Sequence, residues 1–168
     1  MSRELLILRH GKSDWGSDAP DFERPLKERG KRGARQAGSW LLLQDLVPDH
    51  LVSSPARRAE STAVRVCKAM NLSPKAIHLD PRVYEAGVPV LLRVIADCPP
   101  RARRMMLVGH NPGLEELLMY LCGERIDMPE DGKLLPTATI ARVEMPDDWH
   151  GLKPGCATLA QIRRPGSE

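Results

Sequence analysis

Residues 4–15 read ELLILRHGKSDW. Leu5 to Leu8 form an unbroken apolar run of strand length, the pattern of a strand buried in a sheet. The run stops at Arg9 and His10, and Gly11 then lets the chain turn away. A histidine at a strand end is more often structural than chemical. A functional reading therefore requires partners that the fold brings to the same rim.

The 168 residues suffice for one domain with a substantial core, expected to span 1–168. Hydrophobic residues make up 42% and aromatics only 4%, so aliphatic side chains must fill most of the interior. A formal charge of +3 is mild, and no basic stretch is interleaved with aromatics, which argues against a nucleic-acid partner. The arginine-rich stretches RGKRGAR (29–35) and RARR (101–104) read as solvated faces. Cys67, Cys98, Cys122 and Cys156 form no CxxC pair, and no apolar run reaches membrane-spanning length. The expectation is a cytoplasmic protein with free thiols and no membrane association.

Outward from the first strand, strands and helices alternate. A helix is expected from about Lys27 to Gln44, a strand over Leu51–Ser53, and a helix through SPARRAESTAVRVCKAM (54–70). AIHLD (76–80) reads as a brief strand, Pro89–Asp97 as a helix, and Met105–Val108 as a second strongly apolar strand. NPGLEELLMYLCG (111–123) places Leu114, Leu117, Leu118 and Leu121 on one helical face and stops at Gly123. PEDGKLLP (129–136) is a loop, and TATIARVEM and ATLAQIRR are closing strands. This order predicts an α/β three-layer sandwich, a mostly parallel central sheet flanked by helices.

Sites on such sheets form at the carboxyl ends of the parallel strands. LLIL runs into Arg9-His10-Gly11 and MMLV runs into Gly109-His110-Asn111. If both strands are parallel, both histidines emerge at one rim. The third strand ends at Ser53-Ser54, and Ser54 as N-cap with Pro55 at N1 would start a helix carrying Arg57 and Arg58 in its first turn. Asn111 and Pro112 repeat the device. The rim thus collects two histidines, at least two arginines and two helix N-termini, with no carboxylate cluster suited to a divalent metal. Such a place suits a phosphoryl group, with cationic donors for its oxygens and a nitrogen nucleophile for its phosphorus.

LRHGKSDW also carries the Arg-His-Gly signature of the histidine phosphatase superfamily. RPLKERG, SSPARRAEST, VYEAG, VGHNPGLEEL and LPTATIARVE resemble, in order, its small bacterial SixA-type phosphohistidine phosphatase branch. The resemblance runs from about Leu5 to Arg164 and implies a phosphoglycerate-mutase-like fold. It implies that His10 is the nucleophile, that Arg9 and Arg58 bind phosphate oxygens, and that His110 completes the pocket. Arg24 reads equally as a further phosphate ligand or as half of a surface ion pair. Glu85, in the YEA stretch, reads as proton donor to the leaving group or as a loop residue bonding backbone. Two-step phosphoryl transfer through a phosphohistidine needs no metal and no organic cofactor.

Two substrate classes stay open, a phosphohistidine-bearing protein and a small phosphorylated metabolite such as a sugar phosphate or nucleotide. The short chain leaves few residues for a lid, which favours an open pocket and argues against a mutase. A non-catalytic phosphate-binding module would not need the nucleophile. Trp15 could wall the site or pack in the core; Asp14 and Glu115 read as structural, and His50, His78 and His150 lack a comparable setting. Lys27 stands where the branch usually has a capping Thr or Ser, so the following helix should lack that cap, at about 1 kcal/mol.

Overall fold

The computed structural model describes residues 2–166. Six strands form one sheet: β1 (Arg3–Arg9), β2 (His50–Ser53), β3 (Ile77–Leu79), β4 (Arg104–Gly109), β5 (Ile140–Met145) and β6 (Thr158–Arg163), in the spatial order β3-β2-β4-β1-β5-β6. β1, β2, β3 and β4 are mutually parallel. β5 runs antiparallel to β1, and β6 antiparallel to β5. Four helices, α1 (Glu28–Leu43), α2 (Arg57–Ala69), α3 (Val88–Ala96) and α4 (Gly113–Cys122), complete the framework.

Alternation along β1 explains the three layers. Leu5 and Ile7 point into one core with Leu91, Ile95 and the α4 leucines Leu114, Leu117, Leu118 and Leu121. Leu6 and Leu8 point into the other, with Ala34, Ala37 and Leu41 of α1 and Ala59, Ala63 and Val66 of α2. All four strand residues are fully buried, so truncating any one to alanine costs about 2–5 kcal/mol. Glu4 ties the three central strands together by accepting from Arg104 and Arg142, each at 2.7 Å. Lys27 occupies the α1 N-cap without a side-chain cap bond, as its substitution for Thr or Ser leads one to expect.

Two helix starts differ from expectation. α2 begins at Arg57 with Ala56 at its N-cap, so Ser54 does not cap it and Pro55 precedes it. The backbone of Ser54 is still engaged with the sheet, donating to the Val108 carbonyl at 3.0 Å, and its hydroxyl accepts from Ala56 N–H at 3.1 Å. Residues 54–56 therefore form an extra turn ahead of the helix. α4 begins at Gly113 with Pro112 at its N-cap. Asn111 does not cap: its Nδ2 donates to the Leu135 carbonyl at 2.8 Å, and its Oδ1 is buried without a partner among the described residues.

Candidate active site

The parallel register places Arg9 opposite Gly109, so His10 and His110 emerge side by side. Their ring centroids lie 5.2 Å apart. The His10 backbone N–H donates to the Gly109 carbonyl at 3.1 Å, which extends the ladder by one residue and fixes the turn. Gly11 donates to Thr62 Oγ1 at 3.0 Å, while that hydroxyl donates to the Arg58 carbonyl at 2.7 Å, linking the β1 exit to α2. On the other side the β1 exit touches α1: a Cβ on Gly11 would lie 2.5 Å from the Gly30 carbonyl oxygen, and one on Gly30 only 2.1 Å from that of Lys12. Only glycine at both positions permits this approach.

His10 is buried, with Nδ1 2.7 Å from the Gly11 carbonyl oxygen. A carbonyl can only accept, so Nδ1 carries the proton and Nε2 keeps its lone pair. Burial pushes the His10 pKa down to about 3; the Gly11 bond opposes this, and His110, Arg58 and Arg9 add to it. His110 is pushed down to about 4, first by burial and next by Arg58, and its Nε2 pairs with Ser54 Oγ at 2.8 Å. Both imidazoles are thus neutral near pH 7 in a cationic surrounding. Burial also lowers the Arg9 pKa, against the opposing charge of Glu115. Arg9 Nη1 reaches the Leu135 carbonyl at 3.4 Å, and the Leu135 N–H donates to Glu115 Oε2 at 2.9 Å. The Nε atoms of Arg9 and Arg58 and Nδ1 of His110 are buried without a partner among the described residues.

One residue unnoticed in the sequence organises the rest. Asp21 Oδ1 accepts from Arg24 Nη1 at 2.6 Å, and Oδ2 accepts from Arg58 Nη2 at 3.1 Å and from the Tyr84 hydroxyl. Its backbone carbonyl accepts from Arg58 Nη1 at 2.6 Å. These donors, Tyr84 foremost, hold the Asp21 carboxyl well below the usual carboxylate range. Arg24 is buried rather than superficial; it donates through Nε to Ser13 Oγ at 3.0 Å as well as pairing with Asp21. Its guanidinium carbon lies 3.6 Å from the centroid of the Trp15 ring. Trp15 itself is 75% exposed, so it does not pack in the core. The spacing Asp21–Arg24, i to i+3, was the available signal in DFER; the reach to Arg58 and Tyr84 had none.

Glu85 adopts the left-handed conformation, φ 56°, uncommon for a non-glycine residue and shared in this protein with Asp45, Asn71 and Ala138. It lines a cavity of about 490 Å³ with Asp21, Arg58, Tyr84, His110 and Asn111. Tyr84 packs edge-on against both His110 and Phe22. The structure therefore brings together all six residues singled out in the sequence: His10, Arg9, Arg58 and His110 at the centre, Arg24 behind Arg58 through Asp21, and Glu85 on the adjoining cavity. Among the described residues no three His, Cys, Asp or Glu side chains gather as a metal-binding set. His50 and His78 pair with each other on neighbouring strands, 4.8 Å between centroids.

An α/β sheet with two neutral histidines and converging arginines at its carboxyl rim defines a phosphoryl-handling class of protein. The chain matches the histidine phosphatase superfamily (branch 1) over residues 5–91, and it belongs to that superfamily. It is 28% identical over 167 residues to an uncharacterized protein of Mycobacterium tuberculosis strain H37Rv, covering 94% of this chain and 99% of that one. It is 26% identical over 152 residues to the phosphohistidine phosphatase SixA of Escherichia coli K12, covering 88% and 89%. A solved structure of the candidate phosphohistidine phosphatase SixA from Nakamurella multipartitia superposes with a TM-score of 0.84 at 25% identity, over 99% of this chain and 98% of that one. The fold is thus SixA-like and phosphoglycerate-mutase-like, and the expected resemblance holds.

Proposed function

We propose that the protein is a phosphatase of the SixA type, removing a phosphoryl group from a protein phosphohistidine through a covalent intermediate on His10. The observation that carries this reading is the Nδ1–H bond of His10 to the Gly11 carbonyl, which leaves Nε2 as a neutral nucleophile. In the first step the Nε2 lone pair forms a bond to phosphorus as the bond to the leaving group breaks, and the leaving group takes up a proton. In the second step water attacks phosphorus, the P–Nε2 bond breaks, inorganic phosphate departs and the water proton is released. Arg9, Arg58 and His110 meet the equatorial oxygens in both steps. Asp21 holds Arg58 in place, so the arginines supply the positive charge and the reaction needs no metal. An imidazole leaving group departs readily once protonated, which suits a site whose candidate acid, Glu85, lies on the adjoining cavity.

That cavity favours a second reading. At about 490 Å³ it matches the size of small-molecule sites, so a sugar or nucleoside could occupy it as the leaving group of a phosphomonoester. A labelled phosphodonor distinguishes the mechanism: the trapped adduct should be acid-labile and alkali-stable, and its absence from rapidly quenched wild-type protein would remove the covalent pathway. Turnover of a phosphohistidine protein against a panel of phosphate esters separates the substrates. Glu85→Gln should slow ester hydrolysis and spare phosphohistidine hydrolysis; equal effects on both exclude Glu85 as the acid.

A further inference from the structure

The outward face of α1 is basic far beyond what the fold uses. Lys12, Arg29 and Arg32 are exposed and carry no ion pair or side-chain hydrogen bond among the described residues. They line a hollow of about 200 Å³ with Gln36 and Thr137. Arg32 and Gln36 also line a neighbouring groove of about 630 Å³, continued by Arg35, Trp40, Leu43 and Arg163. Among the described residues no carboxylate lines either hollow. Arg29, Arg32, Gln36 and Leu43 follow the i, i+3, i+7 and i+14 spacing of one helical stripe, about 21 Å long at 1.5 Å per residue. The stripe ends on an apolar spot: Leu43 is 82% exposed beside Trp40.

We propose that this face docks an acidic surface of the phosphoprotein substrate. The inference rests on the phosphohistidine reading above and adds the surface that recognises the substrate. Three observations favour a protein over other anions. The stripe is too long for a second phosphate on a metabolite. It pairs a cationic flank with an apolar end, the composition of a protein interface and not of a nucleic-acid groove. The Trp40 ring is covered by the Arg163 guanidinium, 5.8 Å from its centroid, so that face is not offered to bases. Continuity with the site is direct. Lys12 lies two residues beyond His10, and Ala138, in the wall of the smaller hollow, donates its N–H to the carbonyls of Arg9 and His10 at 3.0 and 3.1 Å.

The test uses two phosphohistidine peptides of equal length, one with acidic and one with neutral flanks, and the exposed double variant R29E/R32E. At low salt the wild type should turn over the acidic peptide about tenfold faster in kcat/KM, through KM, with the advantage shrinking as salt rises. In R29E/R32E that preference should vanish or reverse while the neutral peptide changes by less than about twofold. Equal turnover of the two peptides by the wild type overturns the proposal, as does a preference that survives charge reversal. If neither peptide is hydrolysed while p-nitrophenyl phosphate is, the phosphohistidine reading fails. Docking is then read from anisotropy with the unphosphorylated acidic peptide, whose binding R29E/R32E must weaken. A single-stranded RNA of matched charge that binds more tightly than the acidic peptide would assign the face to nucleic acid instead.

Discussion

The ends of β1 and β4 share one pattern, four apolar residues and then a histidine two positions on, and differ in what they do with that histidine. Both strands are apolar, parallel and adjacent, and each delivers an imidazole to the same rim. At the end of β1 the ring is tied to a carbonyl of its own chain, an acceptor only, so its tautomer is fixed and Nε2 stays basic. At the end of β4 the ring meets the hydroxyl of Ser54, which can donate or accept, so His110 can exchange the sense of its hydrogen bond. The first arrangement suits a nucleophile that must never lose its lone pair. The second suits a partner whose proton sometimes faces a phosphate oxygen and sometimes does not.

Substitution of each histidine is the strongest way to break this contrast. His10→Ala should abolish both turnover and the phosphoenzyme, whereas His110→Ala should lower kcat about 10²–10³-fold while still forming the adduct. Adduct lost in both variants, or retained in both, would erase the difference in role. Asp21→Asn should follow, lowering kcat/KM about ten- to hundredfold as Arg58 loses a charged acceptor. An unchanged rate with unchanged KM would remove Asp21 from the machinery. Stability should depend on pH through both rings. Their folded pKa values, about 3 and about 4, lie below the unfolded value of about 6.5. The unfolded chain therefore takes up protons that the fold refuses, and this contribution to stability is full above about pH 6.5 and is lost as pH falls through about 4 and then about 3. Urea denaturation across that range should show the slope, and His110→Gln should flatten it. The smallest effect belongs to Ser54→Ala, which should cost His110 its partner and about three- to tenfold in kcat; a larger loss in kcat than His110→Ala would contradict the pairing.

The same contrast shows what could be read before folding. Strand ends are local events, and apolar runs stopping at Arg9-His10 and Gly109-His110 carry their meaning in a few residues each. Arg57 and Arg58 were legible together, as a pair opening a helix just after a strand, and the family resemblance singled out Arg58. Asp21 was not, because its value lies in partners 37 and 63 residues away. Nor were the true helix starts, since Ser54 and Asn111 have the right chemistry for caps, yet tertiary bonds to His110 and Leu135 orient them otherwise. Local propensity proposes a role for a polar side chain, and tertiary neighbours can outbid it. Trp15 illustrates the same limit: a place in the site wall and a place in the core were both open to it, and it lies exposed against the guanidinium of Arg24.

The contact of Gly11 and Lys12 with Gly30 separates two kinds of freedom in α1. Main chain meets main chain there, with no room for a methyl group on either glycine. The loop bearing His10 is thus braced by the helix backbone and is indifferent to the side chains that backbone carries outward. Charges on the solvent face can be exchanged while His10 stays where it is. A lineage could retarget such an enzyme from one partner to another by rewriting a single exposed stripe, leaving its chemistry untouched.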